Sequence, residues 1–125
     1  TGSTLLEAQS MGIKTVGIDF DEKMCKITKD NLKANKFTGE IHNQSYEYMD
    51  QLKFDGIVTD LPYGTASKVS EPPKKIMKKF VSKIPRKAQF AIMCKKGLDE
   101  GVKLNLTKKY EIYRHKSLTR MILIK

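Results

Sequence analysis

Along the first fifty residues, apolar positions recur first at helical and then at strand spacing. Thr4-Leu5-Leu6-Glu7-Ala8-Gln9-Ser10-Met11 reads as a short helix that Gly12 stops. Thr15 to Ile18 is a brief apolar run, a buried strand ending at Asp19. From Asp21 to Asn35, Met24, Ile27, Leu32 and Ala34 follow a loose helical period. Asp21 is placed to cap that helix, and Glu22 and Lys36 suit its two dipole ends. Glu40 to Asn43 and Phe54 to Thr59 read as further strands, the second running into Asp60-Leu61-Pro62-Tyr63-Gly64.

Pro72-Pro73 opens a helix to about Lys83, with Ile76, Met77, Phe80 and Val81 on one face and lysines on the other. Ala88 to Met93 is an apolar strand. Lys109 to Arg114 and Thr119 to Lys125 are two more, joined through His115 to Leu118 tightly enough for an antiparallel hairpin. The order α-β-α-β-β-α-β-β-β predicts an α/β fold, a mostly parallel doubly wound sheet with a terminal antiparallel hairpin. It opens on a helix with no strand before it. A length of 125 residues fits one domain, 1–125.

Charge divides the chain unevenly. Residues 1–64 hold seven Lys against ten Asp and Glu, a balance of −3. Residues 65–125 hold 17 Lys and Arg against four acids, a balance of +13, and the two sum to +10. Between Glu71 and Asp99 every charged residue is basic. Such one-sidedness suits a polyanionic partner, and equally a solvated lysine-rich surface. No apolar run approaches the ~20 residues of a membrane span. Two cysteines far apart, Cys25 and Cys94, fit packing roles in a reducing cytoplasm. With only two histidines at unrelated spacings they form no recognisable metal site.

Two places carry candidate chemistry. Gly2 opens the first helix and Asp19 ends the next strand, 17 residues on; in doubly wound folds this layout lets a cofactor approach a glycine turn while a carboxylate takes its ribose hydroxyls. Phe20 could pack on an adenine ring. The plainer reading is a helix lead-in and an Asp19–Asp21 cap pair. Asp60-Leu61-Pro62-Tyr63-Gly64 follows an apolar strand, where open α/β sheets place their ligand crevice. A conjugated exocyclic amine is a poor nucleophile, and two acceptors on its N–H bonds favour a tetrahedral nitrogen. Asp60 offers one acceptor and the Leu61 carbonyl the other; Pro62 fixes the backbone and Tyr63 offers a stacking face. A strand-exit turn with a packed tyrosine is the alternative.

These segments resemble class I S-adenosylmethionine-dependent methyltransferases. Thr1-Gly2-Ser3 with Leu6-Glu7-Ala8 resembles the end of that family's cofactor loop, and Val16-Gly17-Ile18-Asp19-Phe20-Asp21 its second strand and ribose-binding acid. Asp60-Leu61-Pro62-Tyr63, between Thr59 and Gly64, resembles the acceptor box of amino-group methyltransferases in its tRNA guanine-N2 form. His115-Lys116-Ser117-Leu118-Thr119-Arg120 is similar to a turn of the archaeal THUMP-associated enzymes that methylate N2 of guanosine 10 in tRNA.

The resemblance implies a Rossmann-like fold and S-adenosylmethionine as donor. It implies Thr1, Gly2, Asp19 and Phe20 as donor contacts, with Ser45 or Gln44 where the family has an adenine-binding acid. Asp60 is then the catalytic residue, and Leu61, Pro62 and Tyr63 hold the base. It further implies tRNA or another structured RNA as partner, with the basic segment Lys74 to Lys96 along the phosphates. The family's first strand and its amino-terminal THUMP region are missing from this stretch, which reads as a carboxyl-terminal part of the catalytic domain. Adenine N6 or protein glutamine as acceptor is disfavoured, since those relatives mostly carry Asn at position 60. A non-catalytic RNA-binding fragment is a further reading, and an NAD-linked dehydrogenase lacks its glycine fingerprint. His115 and Arg120 allow an RNA-facing role at the hairpin, but turn residues satisfied by local hydrogen bonds are the plainer and favoured reading.

Overall fold

The computed structural model describes residues 1–61 and 71–125, which form two compact units, 1–53 and 54–125. Pro62 and Tyr63 lie outside the described residues.

In the first unit, α1 (Ser3–Ser10) begins after Gly2, whose φ of 79° is left-handed. It ends on Gly12, also left-handed, with the Ile13 N–H reaching back to the Ala8 carbonyl and that of Gly12 to Gln9. These paired bonds satisfy carbonyls that the last helical turn leaves open, and glycine carries the conformation without a Cβ penalty. β1 (Val16–Asp19) follows, then α2 (Glu22–Ala34). The Asp21 side chain accepts from the N–H groups of Lys23 and Met24, as its position predicts. Cys25, Thr28 and Leu32, at helical spacing, are the buried face of α2. β2 (Glu40–Asn43) pairs with β1 in parallel, Val16 facing Glu40 and Asp19 facing Asn43. A 3-10 helix, Tyr46–Gln51, comes next; the sequence pattern does not predict it, because it is too short to show a period.

The second unit holds a four-stranded sheet in the order β3-β4-β6-β5. β3 (Gly56–Asp60) and β4 (Gln89–Lys95) are parallel, joined through α3 (Pro73–Ser82). β5 (Lys108–His115) and β6 (Leu118–Ile124) form the expected antiparallel hairpin, and β6 lies against β4. The register sets Ile57, Thr59, Phe90, Ile92, Cys94, Met121 and Leu123 on one face of the sheet. Phe90, Ile92, Cys94, Met121 and Leu123 are buried, as are Ile76, Met77 and Phe80 of α3, and this is the core of the unit. The opposite face carries Val58, Asp60, Met93, Ile122 and Arg120.

The element order is the one expected, apart from the added 3-10 helix. The strands nevertheless divide between two sheets, β1 and β3 each having one partner among the described residues. Each parallel pair forms around its own connecting helix, and pairing between strands distant in the chain is not encoded in hydrophobic period. Among the described residues no helix is long and apolar enough to cross a membrane.

Candidate active site

The first unit gathers Asp19, Phe20 and Ser45 at the carboxyl ends of its two parallel strands. The Asp19 carbonyl accepts from the Gln44 N–H at 3.1 Å, the Asn43 amide at 3.2 Å and the Cys25 thiol at 3.3 Å. Three donors on one carbonyl fix the strand end. Its carboxylate Oδ1 accepts from the Asp21 N–H at 2.9 Å, so one oxygen is used locally and Oδ2 has no partner among the described residues. Phe20 is 56% exposed, a large apolar residue left open next in sequence to Asp19.

Ser45 has a structural duty: its hydroxyl accepts from the Glu47 N–H and caps the 3-10 helix. A hydroxyl that accepts there still has its proton to donate. Thr1 and Gly2 are held by α2. Asn31 donates its side-chain amide to the Thr1 carbonyl at 2.9 Å, and a Cβ on Gly2 would come within 2.5 Å of Thr28 Cγ2. Gly2 is therefore needed for close packing and for its backbone angle, whatever it does for a ligand. In their chemistry, a carboxylate with a spare oxygen, an exposed aromatic residue and a glycine turn fit the ribose, adenine and backbone-approach needs of an adenosine cofactor.

Asp60 and Leu61 sit at the carboxyl end of β3 in the second unit. Leu61 is buried, and its N–H donates to the Met93 carbonyl at 2.9 Å, extending the β3–β4 ladder one residue beyond the strand. Its carbonyl receives no hydrogen bond from the described residues and stays available as an acceptor. Asp60 points outward, its side chain 49% exposed, rather than into the core. Partial burial raises the pKa of its carboxyl above the ordinary value, and the nearby Arg120 charge opposes that rise.

Arg120 makes a contact with Asp60 that the sequence does not predict. Its Nη1 lies 3.5 Å from Asp60 Oδ2 and donates to Met93 Sδ at 3.0 Å. Asp60, Met93 and Ile122 share one cross-strand row, and Arg120 is two residues before Ile122 on the same face. The contact is thus set by register across three strands, 60 residues apart in sequence, where no local pattern could reveal it. The local turn is real for its neighbours, since Ser117 Oγ and His115 Nδ1 are 3.0 Å apart. Arg120 itself lies within β6 rather than in the turn and reaches across the sheet to Met93 and Asp60.

In the basic stretch, Glu71 pairs with Lys75 and Lys79, and Lys96 pairs with Glu111. No acid is within ion-pair distance of Lys74, Lys78, Arg86, Lys87 or Lys95 among the described residues.

The model of a family described as "RMKL-like, methyltransferase domain" matches residues 3–111. A tRNA (guanine(10)-N2)-dimethyltransferase of Methanothermobacter thermautotrophicus is 32% identical over 135 residues, covering 98% of this chain and 40% of that protein. A protein of Methanothermococcus thermolithotrophicus named "Probable tRNA (guanine(10)-N2)-dimethyltransferase" is 34% identical over 134 residues, covering 98% of this chain and 80% of its own length. The chain thus spans well under half of the first relative and most of the second. Among solved structures, TrmN from Thermus thermophilus superposes with a TM-score of 0.76 at 15% identity, over 97% of this chain and 40% of that one. That likeness shows a Rossmann-like methyltransferase fold.

Proposed function

The chain belongs to the RMKL-like methyltransferase domain family, and from that membership we propose that it transfers methyl from S-adenosylmethionine to N2 of a guanine in tRNA. The observation that carries the reading is an outward-facing Asp60 beside an open Leu61 carbonyl, at the end of a parallel strand. Relatives named as tRNA (guanine(10)-N2)-dimethyltransferases support the choice of substrate. Both units are read as parts of one catalytic domain, 1–125, a reading supported by the single family match running across them.

S-adenosylmethionine, when bound, supplies an electrophilic methyl group on a sulfonium. Asp19 would hold the ribose, Phe20 would pack against the adenine, Thr1 and Gly2 would contact the methionine portion, and Ser45 would offer its hydroxyl proton to the adenine. Asp60 and the Leu61 carbonyl accept the two N–H bonds of the guanine amine and draw its nitrogen toward a tetrahedral shape. Asp60 then receives, or passes to water, the proton that the amine sheds. Pro62 and Tyr63 complete the grip on the base. Preorganised acceptors carry this reaction, with little call for a strong base. The target guanine leaves its stack to reach Asp60, as other modified bases do. Lys74, Lys78, Arg86, Lys87 and Lys95 hold RNA phosphates, and a THUMP-type region, which the resemblance implies, shares the hold on the tRNA. A tRNA substrate places the work in the cytoplasm, which two free, buried thiols also suit.

The test is methyl transfer to tRNA by wild type and D60A, followed by mass analysis of the nucleosides. N2-methylated guanosine from wild type and none from D60A, with donor binding retained, is expected. Methyl groups found on another atom, or undiminished turnover by D60A, would refute the reading.

A further inference from the structure

We propose that Arg120 is the positioning residue of the acceptor site: its guanidinium, braced on Met93, fixes the Asp60 carboxylate so that one oxygen faces the target amine. This rests on the reading of Asp60 given above and goes beyond it.

Arg120 stands on β6, two strands away from Asp60, and crosses β4 to reach it. Met93 is the partner of Asp60 on the intervening strand, diagonal to Arg120, and its Sδ accepts from the same Nη1 that approaches Asp60 Oδ2. The arginine side chain is 25% exposed, so most of its stem and head are packed rather than waving in solvent. Such bracing reduces the freedom that ordinarily makes a surface ion pair worth little. A guanidinium keeps its charge at any working pH.

The consequences follow from where the contact falls. Oδ2 is the oxygen that faces Arg120, and Oδ1 has no partner among the described residues, so the pair leaves one acceptor open. A carboxylate that must meet RNA also meets the repulsion of phosphates, and a fixed cation beside it offsets that repulsion. Among the described residues, the buried Cys94 thiol on β4 also feels the Asp60 charge. Its pKa is pushed up to about 11, so it is neutral wherever Asp60 titrates.

A phosphate ligand and a positioning residue predict different kinetics. For R120Q, positioning predicts a fall in kcat of about tenfold to a hundredfold, the scale of a misplaced reacting group. KM for tRNA should stay within about twofold, and the acid limb of the kcat–pH profile should move to higher pH, because the opposing cation is gone. R120K keeps the charge and should restore the acid limb and much of kcat. The measurement is steady-state methyl transfer to tRNA with S-adenosylmethionine, for wild type, R120Q, R120K and D60N, each checked by thermal melting.

An inactive D60N with an R120Q of wild-type kcat and unmoved acid limb overturns the role of Arg120 alone. A raised KM with steeper or shallower salt dependence and intact kcat makes it a phosphate contact instead. Full turnover by D60N overturns the Asp60 reading and this inference with it. Should R120Q fail to fold, R120K decides: an acid limb displaced as far as loss of the charge would displace it counts against positioning.

Discussion

The backbone N–H of Asp21 donates to Oδ1 of Asp19 across 2.9 Å, so the carboxylate assigned to the donor's ribose is aimed by its own loop. Asp21 in turn caps α2, which makes cap and ligand one connected turn. Asn at position 19 keeps an oxygen for the turn but loses the charge, whereas Ala loses both. D19N should therefore leave the melting temperature unchanged while weakening S-adenosylmethionine by about tenfold or more, the usual weight of a hydrogen bond to a charged group. D19A should lower both. Calorimetry with the donor and thermal melting read the two effects separately, and unaltered donor affinity in D19N would remove Asp19 from the site.

Gly2 offers a different discrimination. Its φ of 79° is costly for any residue with a Cβ, and that Cβ would come 2.5 Å from Thr28 Cγ2. G2A should destabilise the chain by about 1–3 kcal/mol from strain and overpacking together. Shortening Thr28 removes the 2.5 Å contact, leaving its Cβ at 3.2 Å, but not the backbone strain. The G2A/T28A pair should then be less destabilised than the sum of the single variants. Urea midpoints for the four proteins measure this coupling; strict additivity would mean that the contact is not made.

Sequence reading reached the local features because local chemistry determines them. The cap at Asp21, the Gly12 stop, the lysine-backed face of α3 and the closing hairpin each lie within a few residues of their cause. The same holds for Asp60, placed by the strand before it. Tyr46–Gln51 escaped because a six-residue 3-10 helix leaves no period to detect. The Arg120–Asp60 contact escaped because it depends on β6 inserting between β4 and β5, a pairing that spacing does not specify. Ser45 shows a third kind of gap, since one hydroxyl can cap a helix and also face a ligand.

Acid should weaken the second unit through Asp99. Partial burial disfavours its charge, but the Lys109 ammonium and the backbone N–H groups of Asp99 and Gly97 outweigh this and hold its carboxyl below the ordinary value. A carboxylate depressed in the folded state stabilises fully above its unfolded pKa, and the contribution fades as pH falls through the folded one. D99N lacks that contribution. The melting-temperature gap between wild type and D99N should therefore be constant near neutrality and narrow below about pH 4, the unfolded carboxylate range. A gap that widens on acidification would show the sign to be wrong.

Cys94 tests whether the core of the four-stranded sheet is as closed as its geometry implies. The side chain is fully buried on β4, with Met121 opposite it on β6. Burial pushes the thiol up to about 11, helped by the Asp99 and Asp60 carboxylates and opposed by Lys109. Only the thiolate attacks iodoacetamide, so both access and ionisation protect it at pH 8. Native protein should leave Cys94 unmodified over hours, while protein in denaturant should label quickly. Peptide mass mapping distinguishes Cys94 from Cys25 in the same sample. Any slow native labelling of Cys94 measures opening of β4 against β6 rather than surface reactivity, and ligands that hold the Asp60 end of the sheet closed should slow it further. Fast labelling in the native state would mean that this strand pair is not the closed core described above.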